Sequence, residues 1–131
     1  SSMAGIMTTP FGGPYAATKH AIEGIAATLK EELEGFGVQV ATINPGPYDT
    51  GFNDRAVEEK WKWYDEEKHY TRKEDMEKQE EGLKKQFDPE EMIAKMVEVI
   101  PSDRHHFRTV YPESTEKQMK ETEKERWRLE I

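Results

Sequence analysis

An α/β fold with parallel strands is predicted by three features of the N-terminal part of the chain. A long helix carries an apolar stripe, glycines stop it, and a short β-branched run follows that ends abruptly at a Pro-Gly loop. Residues 1–14 are small and rich in Gly and Pro, so Pro10, Gly12, Gly13 and Pro14 mark an irregular loop. Pro14 sits where a helix can begin, because its missing N–H costs little there. From Tyr15 to about Phe36 the pattern is helical. Ile22, Ile25, Ala26, Leu29 and Leu33 recur at spacings of three and four, while Ala16, Ala17, Ala21, Gly24 and Ala27 allow close approach by a neighbour. Lys30, Glu31, Glu32 and Glu34 mark its wet end, and Gly35 and Gly37 supply the stop. Val38–Ile43 then reads as a strand covered on both faces, ended by Asn44-Pro45-Gly46-Pro47.

The rest of the chain is more charged. Residues 54–86 are helix-permissive, interrupted by Trp61, Trp63, Tyr64, His69 and Tyr70. Asp88-Pro89-Glu90-Glu91 is a helix start: an acid at the cap, proline in the first turn, then carboxylates facing the positive end of the helix dipole. Met92, Ile93, Met96, Val97 and Ile100 give that helix an apolar face, which Pro101 ends. Phe107–Tyr111 reads as a second strand, stopped by Pro112, and 113–131 is a charged helix or a loose tail. No internal repeat is present.

Composition narrows the function classes. The chain has 131 residues, a formal net charge of −8, 34% hydrophobic and 35% charged residues, and no cysteine. The interleaved, net acidic charge argues against a nucleic-acid binder, which needs a basic stripe to meet phosphates. With no cysteine there is no disulfide framework and no thiolate metal site. No apolar run approaches the roughly 18–20 residues of a membrane span, and no signal-peptide pattern opens the chain, so a cytoplasmic protein is expected.

The chemistry lies at the front. Ser2 stands thirteen residues before Tyr15, and Tyr15 four before Lys19. At that spacing tyrosine and lysine share one helix face. A free tyrosine, with a pKa of about 10, is a poor base at neutral pH. An ammonium one turn away favours the phenolate. A phenol so tuned can give a proton to a forming alkoxide or take one from an alcohol. A serine hydroxyl aimed at the same oxygen would position a carbonyl and stabilise developing charge.

This constellation resembles the catalytic segment of the short-chain dehydrogenase/reductase (SDR) family: Ser2, then Tyr15-x-x-x-Lys19, then Asn44-Pro45-Gly46-Pro47-Tyr48-Asp49-Thr50 beyond the next strand. The resemblance covers residues 1–52 strongly and 88–112 loosely, the latter as a last helix and strand. It implies an NAD- or NADP-dependent oxidoreductase interconverting an alcohol and a carbonyl. Tyr15 would be the general acid/base. Lys19 would tune Tyr15 and hydrogen-bond the nicotinamide ribose, and Ser2 would orient the substrate oxygen. Backbone at Pro45, Gly46 and Tyr48, with the Thr50 hydroxyl, would meet the nicotinamide carboxamide and nearby phosphate. Position 48, often small and β-branched in the family, is tyrosine here.

The family's glycine-rich phosphate loop is absent from these residues, since Gly12-Gly13 is not such a loop. So are its middle strands and relay asparagine. The chain is therefore expected to be the C-terminal half of a Rossmann-like doubly wound parallel sheet. Within one domain spanning 1–131, residues 1–52 are the catalytic segment and Pro-Gly loop, 53–87 a helical substrate-lid insertion, 88–112 the last helix and strand, and 113–131 a charged C-terminal helix. Alone it is expected neither to bind dinucleotide tightly nor to turn over. The resemblance further implies a small alcohol or carbonyl substrate and a homodimer or homotetramer; from composition no nucleic-acid or membrane partner is expected, and no metal site is read.

Several alternatives stay open. Ser1 rivals Ser2, with spacing favouring Ser2. Tyr64-Asp65-Glu66-Glu67-Lys68 repeats the Tyr-x-x-x-Lys spacing in a charged segment that lacks the other motifs. Trp61, Trp63 and Tyr64 either line the lid or pack a short helix. His105 and His106, adjacent on the expected strand, face opposite ways and cannot share a metal; with His20 and His69 they read as structural or surface residues. The Lys/Glu run at 113–128 is a solvated helix or a partner-binding arm. The rival to the enzyme is a non-catalytic oligomerisation or interaction module that uses the same apolar helix.

Overall fold

A computed structural model describes residues 1–130. Its elements are α1 (Gly13–Glu34), β1 (Thr42–Pro45), α2 (Phe52–Trp63), α3 (Lys73–Glu81), α4 (Pro89–Val99), β2 (Arg108–Tyr111) and α5 (Glu113–Arg126), with short 3-10 turns at Met3–Gly5 and Gly82–Lys84. The chain forms two compact units. One is built from Ser1–Gly46 together with the chain from Met92 onward, the other from Pro47–Glu91.

In the first unit, β1 and β2 pair in parallel, with Thr42 opposite Arg108 and Pro45 opposite Tyr111. Backbone bonds from Thr42 N–H to the Phe107 carbonyl and from Gly46 N–H to the Tyr111 carbonyl, both 2.8 Å, close the ladder at its two ends. The architecture is thus α/β with a small parallel sheet, as the sequence pattern predicts. The strand lies later than the expected 38–43, and the reason is how α1 ends. Gly37 takes a left-handed φ of 71°. Its N–H then bonds the Glu34 carbonyl, and Val38 N–H bonds the Leu33 carbonyl. That is a Schellman stop. It uses Val38 to terminate the helix, leaving Val38 exposed, and the ladder begins only at Thr42. It then runs through Asn44 and Pro45, residues that composition assigned to the loop.

The buried set of this unit is unusual. Met7, Ala16, Met92 and Met119 are its buried apolar residues, and Glu23, Thr42, Asn44 and Thr115 are buried with them. The expected packing stripe of α1 is largely exposed instead: Ile22, Ile25 and Leu29 are 41%, 61% and 38% accessible. Two four-residue strands are too narrow to cover a 22-residue helix, so the face that meets them is the one bearing Ala16 and Glu23. The apolar face of α4 is open in the same way at Ile93, Val97 and Ile100. The Asp88 carboxylate accepts from Glu90 N–H at 2.9 Å, capping α4 as its sequence predicts. α5 buries Thr115 and Met119 and carries Glu113 and Glu116 in its first turn and Lys124 and Arg126 in its last, in accord with the helix dipole. His105 and His106 precede β2 rather than lying on it, so the opposite-face argument does not apply to them.

The second unit holds α2 and α3 together by a Lys60–Glu80 ion pair of 2.5 Å. Asn53 donates to Gln86 at 2.6 Å. Tyr48 pairs with Phe87 both as a parallel backbone bridge and as rings 5.8 Å apart, and Met76 is buried. Among the described residues no helix is long and apolar enough to cross a membrane, and no group of three or more His, Asp or Glu side chains is placed to hold a metal.

Candidate active site

Helix α1 begins just ahead of Tyr15, with Pro14 in its first turn. Tyr15 and Lys19 therefore lie one turn apart near its N-terminal end, as the spacing predicts. The Lys19 ammonium sits over the Tyr15 ring, 5.5 Å from its centroid. Tyr15 is 40% accessible, so this cation–phenol pair is open to a ligand while remaining on a rigid helix.

Ser2 is half-buried and caps the turn Met3–Gly5, its hydroxyl accepting from Ala4 N–H at 3.2 Å. An oxygen that accepts from the backbone keeps its own hydrogen for a substrate oxygen. The turn is pressed onto α1. A Cβ on Gly5 would lie 2.9 Å from Glu23 Cγ and 3.0 Å from the Lys19 carbonyl, so only glycine fits there. The Ser2 carbonyl in turn accepts from Asn44 Nδ2 at 2.9 Å. The serine segment, α1 and β1 are thereby brought to one place.

Sequence reasoning missed what joins them. Glu23, four residues past Lys19 on the same helix face, is buried and accepts several hydrogen bonds. Its carboxylate accepts from Asn44 Nδ2 at 2.7 Å, from the Thr42 hydroxyl at 3.4 Å, and from Arg108 Nε and Nη2 at 3.2 and 2.8 Å. Burial pushes this carboxyl upward, but hydrogen bonds from Ser1, Asn44 and Arg108 and the Arg108 charge outweigh that and hold it below the ordinary glutamate value. The available signal was the continuation of the Tyr15–Lys19 spacing by one more turn; the position reads instead as one surface acid among apolar neighbours.

The Pro-Gly loop is placed by packing. A Cβ on Gly46 would stand 2.8 Å from Thr115 Oγ1 and 3.1 Å from Pro112 Cδ. The Gly46 N–H is engaged by the Tyr111 carbonyl and Pro45 has none, so neither residue offers an amide donor to a ligand. Tyr48 and Thr50 belong to the other unit. Tyr48 is buried there against Phe87, and Thr50 is exposed, its N–H bonded to the Tyr48 carbonyl at 2.9 Å.

The second Tyr-x-x-x-Lys spacing forms no comparable pair. Tyr64 ends α2, and the residues after it form a turn rather than a helix. Its hydroxyl donates to the Thr71 carbonyl at 2.9 Å, and Lys68 pairs with Asp65. Loss of solvent around the ring, with Glu66 and Asp65 nearby, holds this phenol above its ordinary value, the wrong direction for a base. Trp61 packs edge-on against Tyr64, their rings 5.3 Å apart, whereas Trp63 is 80% accessible.

Comparison with known proteins places the front of the chain. Residues 1–61 match the short chain dehydrogenase family. Over 50 residues, 38% of this chain, it is 52% identical to the NADPH-dependent 3-dehydrocapnine reductase of Ornithobacterium rhinotracheale. Over 54 residues, 41% of the chain, it is 41% identical to the 3-ketodihydrosphingosine reductase of Bacteroides thetaiotaomicron. Over 56 residues, 43% of the chain, it is 43% identical to the uncharacterized oxidoreductase YbbO of Escherichia coli. These stretches cover 18%, 20% and 21% of the relatives, so the chain spans about a fifth of the length of the curated proteins it matches. No solved structure gives a significant match.

Proposed function

We propose that this chain, whose residues 1–61 match the short chain dehydrogenase family, supplies the proton-transfer machinery of an NAD(P)-dependent oxidoreductase acting on an alcohol/carbonyl pair, a reading its similarity to named reductases and oxidoreductases supports. The observation that carries the reading is the Lys19 ammonium over the exposed Tyr15 ring on one helix. In the reductive direction Tyr15 gives its hydroxyl proton to the substrate oxygen as the carbonyl becomes an alcohol. Lys19, one turn from Tyr15, would assist the proton transfer by its charge and would donate to the nicotinamide ribose. Ser2, whose hydroxyl retains its hydrogen, orients the substrate oxygen.

The nicotinamide, when bound, supplies the hydride. Tyr15 and Lys19 on α1 would donate to its ribose. At the Pro-Gly loop the Gly46 amide is taken, and backbone carbonyls there would receive the carboxamide NH2. The roles of Tyr48 and Thr50 in cofactor contact rest on the motif. These 131 residues contain no glycine-rich loop to cradle the cofactor's phosphates.

Two of the relatives are named as reductases of a 3-dehydro and a 3-keto compound, one of them NADPH-dependent. Reduction of 3-ketodihydrosphingosine with NADPH is therefore the assay of choice for the whole protein. Tyr15→Phe removes only the transferable proton and lowers kcat by about 10²–10⁴-fold, with the circular dichroism spectrum and assembly state unchanged. An unaltered kcat refutes the assignment. It would favour the second reading, a non-catalytic interaction module, for which the open Ile22, Ile25 and Leu29 stripe speaks.

A further inference from the structure

We propose that Glu23 is the positioning residue of the active site, fixing Ser2 by dictating which way the Asn44 side chain points. The inference rests on the reading of Ser2 as the substrate-orienting hydroxyl.

An asparagine side chain can present either its oxygen or its nitrogen to a neighbour, and the two orientations have nearly the same shape. At Asn44 both neighbours are acceptors. The Ser2 carbonyl lies 2.9 Å from Nδ2 and a Glu23 carboxylate oxygen 2.7 Å from it. An ionised carboxylate offers no hydrogen. It therefore forces the NH2 end of Asn44 toward it, and the second hydrogen of that NH2 is delivered to Ser2. Reversal would set the amide oxygen against two acceptors at hydrogen-bond distance.

The cost of this choice is visible. Asn44 is fully buried, and its Oδ1 has no hydrogen-bond partner among the described residues. A buried acceptor left unmatched is unfavourable, so the orientation is held by what happens at the nitrogen. Glu23 is itself held. Arg108 on β2 grips one carboxylate oxygen through two nitrogens, and Thr42 approaches the same oxygen from β1. Asn44 donates to the other oxygen. Because Glu23 lies one turn beyond Lys19, the helix that carries the acid/base pair also carries the group that sets the serine's backbone. Displacement of a positioning contact by about 1 Å can cost about 10²-fold in rate.

The test separates reach from charge, using two conservative variants of the whole protein assayed with NADPH and 3-ketodihydrosphingosine. Glu23→Asp keeps a hydrogen-free carboxylate but shortens its reach by one methylene. Glu23→Gln keeps the reach, but with its oxygen held by Arg108 it turns an NH2 toward Asn44 and so no longer dictates which end Asn44 presents. Glu23→Gln should lower kcat about 10–100-fold with KM for NADPH within twofold, and Glu23→Asp should lose at least threefold less. In a Ser2→Ala background, Glu23→Gln should lower kcat no more than about twofold further, because the serine it acts through is gone. An equal loss with and without Ser2, or an Asp variant worse than the Gln variant, overturns the proposal. If Ser2→Ala alone leaves kcat unchanged, the reading of Ser2 falls instead, which distinguishes the two failures.

Discussion

At Glu23 two opposing effects are resolved by hydrogen bonding. Burial disfavours its charge, yet the carboxyl is held below its ordinary value because donors from three segments converge on it. The Arg108 side chain is 40% accessible while that of Glu23 is 8%, so solvent screens the ion pair, and the hydrogen bonds dominate. A depressed native value means that the unfolded chain takes up the proton first as pH falls. The stabilisation is complete above the ordinary glutamate value of about 4.3 and is lost as pH drops through the lower native value. Urea midpoints measured from pH 7 to pH 3 should therefore decline below about pH 4.3, and the decline should be shallower in Glu23→Gln. Identical pH profiles for the two proteins would show that Glu23 is not linked to stability in this way.

At the scale of elements, local chemistry explains both what the sequence reveals and what it conceals. The start of α4 is legible because a cap is a contact between near neighbours: Asp88 reaches Glu90 N–H, and nothing distant is needed. Asp88→Ala should lower stability by about 1 kcal/mol, read from a denaturant midpoint with unchanged m-value; no shift would mean that the cap does not hold this helix end. Helix α1 is legible from its period, and the pairing of Tyr15 with Lys19 follows from it. The start of β1 is not, because Val38 and Val40 have the composition of strand residues while the left-handed Gly37 spends Val38 on closing α1. Nor is the Glu23–Asn44 link, since it depends on residues 21 apart meeting. Asn44 beside Pro45 reads as loop chemistry, and only the parallel partner strand reveals it as buried.

For the molecule as a whole, the structure leaves apolar faces of α1 and α4 exposed beside a two-stranded sheet, and the 131 residues hold no glycine-rich phosphate-binding loop. The 131 residues by themselves should bind NADPH more weakly than micromolar in a fluorescence titration; a micromolar dissociation constant would place phosphate-binding groups within this chain. The bond between Asn44 and the Ser2 carbonyl has one more consequence. For anyone redesigning the substrate preference of this site, Glu23 and Asn44 are a single design variable. A library that varies either alone samples mismatched donor and acceptor pairs, whereas exchanging both for a complementary apolar or polar couple explores new placements of the serine without first breaking the old one.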